Sequence, residues 1–84
     1  MSRWKRNHPY LSESATVRRG QDECTATVHP VGFARGFGAV AVVNPMSRDP
    51  ERRGGWSGPQ FHILETAKRE ALRACGRMLR RLRG

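Results

Sequence analysis

Residues 66–82 read TAKREALRACGRMLRRL, and their spacing decides the fold. Placed at 100° per position, Leu64, Ala67, Ala71, Cys75, Met78 and Leu82 fall on one stripe, flanked by Phe61, Leu72 and Leu79. Arg69, Arg73, Arg77 and Arg80 fall on the opposite face, at helical steps of four, four and three. The pattern is that of an amphipathic helix, with one side that needs an apolar partner and one side carrying arginine. Ser57 followed three residues later by Gln60 fits a capping box, and Pro59 suits a first turn. The helix is therefore expected to start there and to reach about Leu82, with Gly76 its only weak point. Some 24 residues at ~1.5 Å each would run about 36 Å, long for so short a chain.

Upstream lie the segments against which such a helix would pack. Glu23 to His29 alternates, with Cys24, Ala26 and Val28 pointing one way and Thr25, Thr27 and His29 the other; Pro30 should end the strand. Phe37 to Val43 is a second strand of small and β-branched residues, joined to the first through the loop Gly32-Phe33-Ala34-Arg35-Gly36. Leu11 to Arg19 reads as a third, and Gly20-Gln21-Asp22 as the turn after it. The expected fold class is α+β: a three-stranded antiparallel sheet packed against one long C-terminal amphipathic helix. Residues 1–10 read as a basic N-terminal arm with Trp4 and Tyr10, and 11–84 as a single small domain. Within it, 44–58 (NPMSRDPERRGGWSG) reads as a long loop of the kind that is functional or disordered.

The core inventory is small. Leu, Ile, Val and Phe number 15 of 84 residues, and the net charge is +9, a combination near the compositional boundary of disorder. The composition leaves open a chain only partly ordered alone, or one steadied by a partner. The charge comes from 14 Arg and only 2 Lys, and it sits at the two ends: +3 over residues 1–10 and +5 over 71–84. Codon usage in a GC-rich genome would give part of the arginine excess. The planar guanidinium fork is also the side chain best matched to phosphate and carboxylate. Like charges at i, i+4 cost a helix a few tenths of a kcal/mol each, and after Glu70 the chain has no carboxylate. An acidic partner would remove that repulsion.

The candidate contact residues are accordingly Arg69, Arg73, Arg77, Arg80 and Arg81 on the helix, with Arg52, Arg53 and Trp56 in the loop and Phe33 and Arg35 at the hairpin tip. Arg-Arg-Gly-Gly-Trp pairs cations with an aromatic on flexible backbone, which suits phosphate contact with base stacking. Packing of Trp56 against the helix start is its competing use, and the favoured one in a core this poor. Several chemistries are set aside. The glycines of residues 32–38 have neither dinucleotide-fingerprint nor Walker spacing. His8, Cys24, His29, His62 and Cys75 form no close ligand pair, so no metal or cofactor is expected. Nothing resembles a nucleophile elbow, a paired-carboxylate site or a zincin helix, and the expectation is a protein without enzymatic activity. The N-terminus has no apolar run behind its charges, and the longest such run, Ala39 to Val43, is too short for a bilayer. Two cysteines do not make a secreted framework. A cytoplasmic protein with free thiols, not bound to a membrane, is expected.

The strands CTATVHPV (24–31) and FGAVAVVNP (37–45), followed by the Ala-rich helix of residues 66–82, resemble two groups in layout. One is the double-stranded-RNA-binding domain, in which a three-stranded sheet precedes a basic, Ala-rich helix. That domain opens with a further helix that has no counterpart here, and its helix-start lysine cluster is not matched at Gln60-Phe61-His62. The other is the set of small phage-encoded inhibitor proteins of the anti-CRISPR kind, many of them single α+β domains of this length that dock on nucleoprotein complexes. Many of these are acidic; a +9 chain would grip an acidic protein face or the nucleic acid itself. The resemblances imply a binding protein and assign no individual residue. The leading expectation is docking on nucleic acid or a nucleoprotein complex through the arginine helix. The alternative is a phage- or prophage-type inhibitor that contacts a host protein target, in the host cell cytoplasm. A basic component of a ribosome or virion is a third possibility.

Overall fold

In the computed structural model, which describes residues 4–7, 11–31 and 36–83, two long strands pair across a two-residue turn. Strands β2 (Ser12–Arg19) and β3 (Asp22–Pro30) are antiparallel, with Arg19 opposite Asp22, so that Gly20 and Gln21 form the whole connection. Gly20 takes φ +62° and Gln21 stays at negative φ, the signature of a type II′ turn, whose twist matches that of the strands it joins. Strand β4 (Phe37–Val43) pairs antiparallel with β3, Cys24 opposite Val43 and Pro30 opposite Phe37. These are the three strands expected from the alternation, and Pro30 ends β3.

The sheet nevertheless has five strands, in the order β1-β2-β3-β4-β5, which corrects the expected three. Lys5–Asn7, placed by sequence in a basic arm, forms β1 against β2. The Asn7 amide donates to the hydroxyls of Ser12 and Ser14 at 3.1 and 2.9 Å. Gly54–Ser57, placed by sequence in a loop, forms β5 against β4, with Trp56 opposite Ala41 and Gly54 opposite Val43. A three-residue strand shows no measurable alternation, and two glycines suppress any β-propensity, so partner strands rather than local preference create both edges. Between β4 and β5 the chain makes a short 3-10 turn, Pro50–Arg52, capped by the Asp49 carboxylate, which accepts from the Glu51 N–H.

Helix α1 spans Leu64–Arg83, its first bond running from the Ala67 N–H to the Ile63 carbonyl. The capping box at Ser57 and Gln60 does not form, and the start is later than expected. The competing interaction is sheet pairing. Gly58 donates to the Ala39 carbonyl, and Phe61 and Phe37 exchange bonds of 2.9 and 2.7 Å. The register slips by one residue between Val40–Ser57 and Phe37–Phe61, a bulge that accommodates Pro59, which has no N–H to give.

α1 lies across β3 and β4 and barely touches β2. The interface is built from small residues: Ala26, Ala39 and Ala41 of the sheet and Ala67, Ala71 and Ala74 of the helix are all buried, with Val28, Val43 and Leu79 the bulkier members of the cluster. Short side chains let a helix approach a sheet closely. They also leave the volume at the margins to larger groups, here Trp4, Phe37, Trp56, Phe61, Leu72 and Met78, which pack half-buried around the cluster. The outer face of the sheet is polar over β2 and β3, with Ser14 hydrogen-bonded to Thr27 (3.1 Å) and Thr16 to Thr25 (3.3 Å), and carries Val40 and Val42 on β4. The expected apolar stripe of the helix is therefore the one turned to the sheet, with Ala74, which the stripe omitted, and Leu79, placed on its flank, both buried.

Toward one end of the interface, where β3 begins and β4 ends, Cys24 and Cys75 are joined as a disulfide, with Cα atoms 5.6 Å apart. This corrects the expectation of free thiols, which weighed cysteine number and not position. Inward-facing residues of β3 and α1 happen to be brought into bridging range by the alanine packing around them. Such cross-links persist in oxidising compartments and are rare in the cytosol, so the bond runs against the expected location. Among the described residues no helix is long and apolar enough to cross a membrane. The bridge closes a loop of 51 residues in sequence. Reduction, or the double substitution Cys24→Ala/Cys75→Ala, is expected to lower the unfolding free energy by about 2–4 kcal/mol in urea titrations. Two alkylatable thiols in the native, unreduced protein would overturn the assignment.

Candidate functional site

Five arginines of the helix, Arg69, Arg73, Arg77, Arg80 and Arg81, are exposed. From Arg69 to Arg80 they follow the axis at ~6 Å for each four-residue step. Their surroundings are not uniform. Glu70 accepts from the Arg73 Nη1 at 3.2 Å and lies 3.9 Å from the Arg69 Nε. Among the described residues no carboxylate pairs with Arg77, Arg80 or Arg81. The repulsion expected along residues 69–83 is thus partly relieved over the first two arginines and stands unrelieved over the last turns.

Trp4 and α1 enclose an open groove of about 710 Å³ whose rim carries Arg69, Arg73, Arg77 and Arg80. Lys68 positions the tryptophan. Its ammonium sits 5.5 Å from the centroid of the Trp4 ring and 3.0 Å from a Glu13 carboxylate oxygen on β2, with only 14% of the side chain exposed. Lys68 therefore ties helix, β2 and Trp4 together and is not a free contact residue. Gly76 forms part of the groove floor, and the Arg80 guanidinium folds over it, 3.6 Å from where a Cβ would stand. The sequence reading missed Lys68 and reached Trp4 only as part of the basic arm of residues 1–10, an auxiliary contact. The cation on the flank of the apolar stripe, at the i−1 position to Arg69, was the available signal.

A second groove runs along the other flank of the helix, between α1 and β5, lined by Arg53, Gly54, Gly55, Met78 and Arg81. Arg77 borders both grooves. Trp56 forms a wall of the second. Its ring covers Gly58 where any Cβ would collide with it, and Phe61 lies against the same spot. The packing use of Trp56 is therefore the one observed, with its indole half-buried.

Arg52 is withdrawn from the set of available contacts. Its Nη2 donates to both oxygens of Asp22, each at 2.7 Å. Asn44, at φ +44°, completes the node: its Oδ1 accepts from the Glu23 N–H, and its Nδ2 donates to Asp22 and to the Arg52 carbonyl. The node fastens the 44–53 connection to the start of β3. Phe33 and Arg35 lie outside the described residues. Among the described residues no group of three or more His, Cys, Asp or Glu could hold a metal ion. No family model, no curated protein and no solved structure matches this chain.

The Arg52 bond, and after it the Asn44 bond and the Arg52 charge, hold the Asp22 carboxyl below its ordinary value of 3.8 against the opposing effect of burial. A depressed carboxylate contributes stability that is complete above its unfolded value and is lost as pH falls through the folded one. Thermal melts should therefore show stability declining below the ordinary value of 3.8. Asp22→Asn should be less stable at neutral pH and flatter over the acid limb. An unchanged acid limb in the variant would remove Asp22 as its source.

Proposed function

We propose that the protein is a non-enzymatic binding module that docks on nucleic acid, free or within a nucleoprotein complex, through the outer face of α1. The observation that carries this reading is the groove in which Trp4 stands beside Arg69, Arg73, Arg77 and Arg80. Guanidinium groups spaced along a helix suit successive phosphates, and an aromatic next to them offers a stacking surface for a base. Contacts of this kind position a protein on a strand without reading its sequence. Arg77 and Arg80 are the principal contacts, because among the described residues no carboxylate neutralises them. Arg53 and Arg81 are auxiliary, on the other flank of the helix. A cytoplasmic site for this contact is at odds with the Cys24–Cys75 bond, of a kind that persists in oxidising compartments, and the nucleic-acid reading does not depend on it.

The alternative, a phage-type inhibitor of the anti-CRISPR kind acting on a host protein, drew on Phe33, Arg35 and Trp56. Of these, Trp56 is engaged in packing. The nucleic-acid reading is preferred on the groove that sets Trp4 beside the helix arginines.

Anisotropy of a labelled oligonucleotide, single-stranded and duplex, measured over a range of salt concentrations, tests the proposal. Log affinity should fall linearly with log salt, by about 0.7 per phosphate contact on a single strand and about 0.9 on a duplex. Arg77→Ala/Arg80→Ala should reduce that slope by roughly two contacts' worth, and binding should quench Trp4 fluorescence, read in a Trp56→Phe background. Absence of binding to either oligonucleotide at low salt would sink the reading.

A further inference from the structure

The two edges of the sheet differ in how they are protected. β1 is three residues long and presents Lys5 and Arg6, exposed charges that discourage another strand from pairing. β5 has no such guard. Its residues are Gly54, Gly55, Trp56 and Ser57, and three of the four are exposed. The Gly58 N–H bond to the Ala39 carbonyl fixes Val40–Ser57 as a non-hydrogen-bonded pair. By the alternation of an antiparallel ladder, Gly54 and Trp56 turn their amides to β4, whereas Gly55 and Ser57 turn both N–H and C=O away from the sheet. Four backbone groups therefore face solvent along an edge whose glycines put no side chain in the way.

Above this edge, on the helix side, lies the second groove. Met78 and Leu82 supply apolar surface there, and Arg53, Arg77 and Arg81 supply charge, against a single acid, Glu51. We propose that the free edge of β5 is a docking site for an extended acidic peptide segment, which adds to the sheet as a sixth strand and sets its carboxylates beneath Arg77 and Arg81. Strand addition takes its affinity from main-chain bonds and its specificity from alternate side chains. Residues on the helix side of the added strand would be acidic. Those on the other side would lie beside Gly55 and Ser57, with the outward-facing Val40 and Val42 one strand further in, and would be β-branched or small. A second copy of the chain is a poor occupant: edge-to-edge pairing of two +9 molecules would bring Arg53, Arg77 and Arg81 of each against the other's. Nucleic acid offers no alternation of donors and acceptors matched to a strand edge. The proposal shares Arg53, Arg77 and Arg81 with the nucleic-acid reading, so the two ligands would compete for those side chains, whereas the outward backbone groups of Gly55 and Ser57 belong to the peptide site alone.

The probe is a capped, labelled heptapeptide alternating glutamate with valine, titrated by anisotropy at physiological ionic strength. Its reference is a peptide of the same composition with the glutamates in one block. The alternating peptide should bind about tenfold tighter or more, and Arg81→Glu should remove most of that advantage. Gly55→Pro deletes an outward N–H and should abolish the preference, whereas Gly55→Ala keeps it; a Cβ at position 55 meets nothing closer than the Ala41 carbonyl at 3.8 Å. Methylation of alternate peptide nitrogens should have the same effect as the proline in one of the two phases and none in the other, which tests the geometry without altering the protein. Arg73→Glu, on the opposite groove, should leave peptide binding intact while weakening oligonucleotide binding. Equal affinity for the alternating and block peptides would reduce the effect to net charge and overturn the proposal. So would a dimer in sedimentation that Gly55→Pro dissociates, because the edge would then belong to a second copy.

Discussion

Ala26, Ala39 and Ala41 of the sheet and Ala67, Ala71 and Ala74 of the helix form one buried patch, pinned at one end by the Cys24–Cys75 bond. The other features of the molecule hang on that contact. Because its members are small, α1 can settle over β3 and β4 alone, and the flanking strands extend beyond it on either side. The two grooves are the spaces left between the helix and those overhanging strands. Because the patch has little volume, aromatic residues from the margins contribute much of the apolar burial. Trp4 and Trp56 are consequently both packing groups and groove walls.

Charge is distributed with the same economy. Asp22 is committed to Arg52, Glu13 to Lys68, Glu23 to Arg18 and Glu70 to two helix arginines. Two of these pairs, Asp22–Arg52 and Glu13–Lys68, are the least exposed, and each joins segments far apart in sequence. Four of the seven acids are thus committed to ion pairs and Asp49 to a cap, while Glu51 and Glu65 line the two grooves; none of them pairs, among the described residues, with the cations of the last turns of α1. A helix C-terminus favours cations locally, which accounts for some of the accumulation at Arg80 and Arg81 but not for Arg77, further from the end.

Period and propensity made the central strands and the helix legible from sequence. Phe37–Val43 emerged with its observed bounds, and the arginine face was placed correctly, because both depend on regular repetition over many residues. The edges were not legible. Lys5–Asn7 and Gly54–Ser57 are strands only because β2 and β4 offer them open ladders, and no local signal carries that information. The capping-box reading failed for a related reason: Ser57 and the residues after it had a better use, continuing along β4 as far as Phe61. Arg52 looked like its neighbour Arg53 in sequence, and only the distant Asp22 separates their roles. The disulfide, too, is a matter of three-dimensional proximity that spacing does not reveal.

The bond between residues 24 and 75 also gives the chain a covalent ring, which contains most of β3, all of β4 and β5 and the first part of α1, with β1, β2 and the last turns of the helix as tails. Arg48 and Arg53 are exposed on the connection between β4 and β5, inside that ring. A protease cutting after either would open the ring into two polypeptides without parting them. The helix would remain tethered to β3 through its cysteine, and the alanine patch would stay assembled. A first nick would therefore pass unseen on a non-reducing gel and leave the arginine face in place.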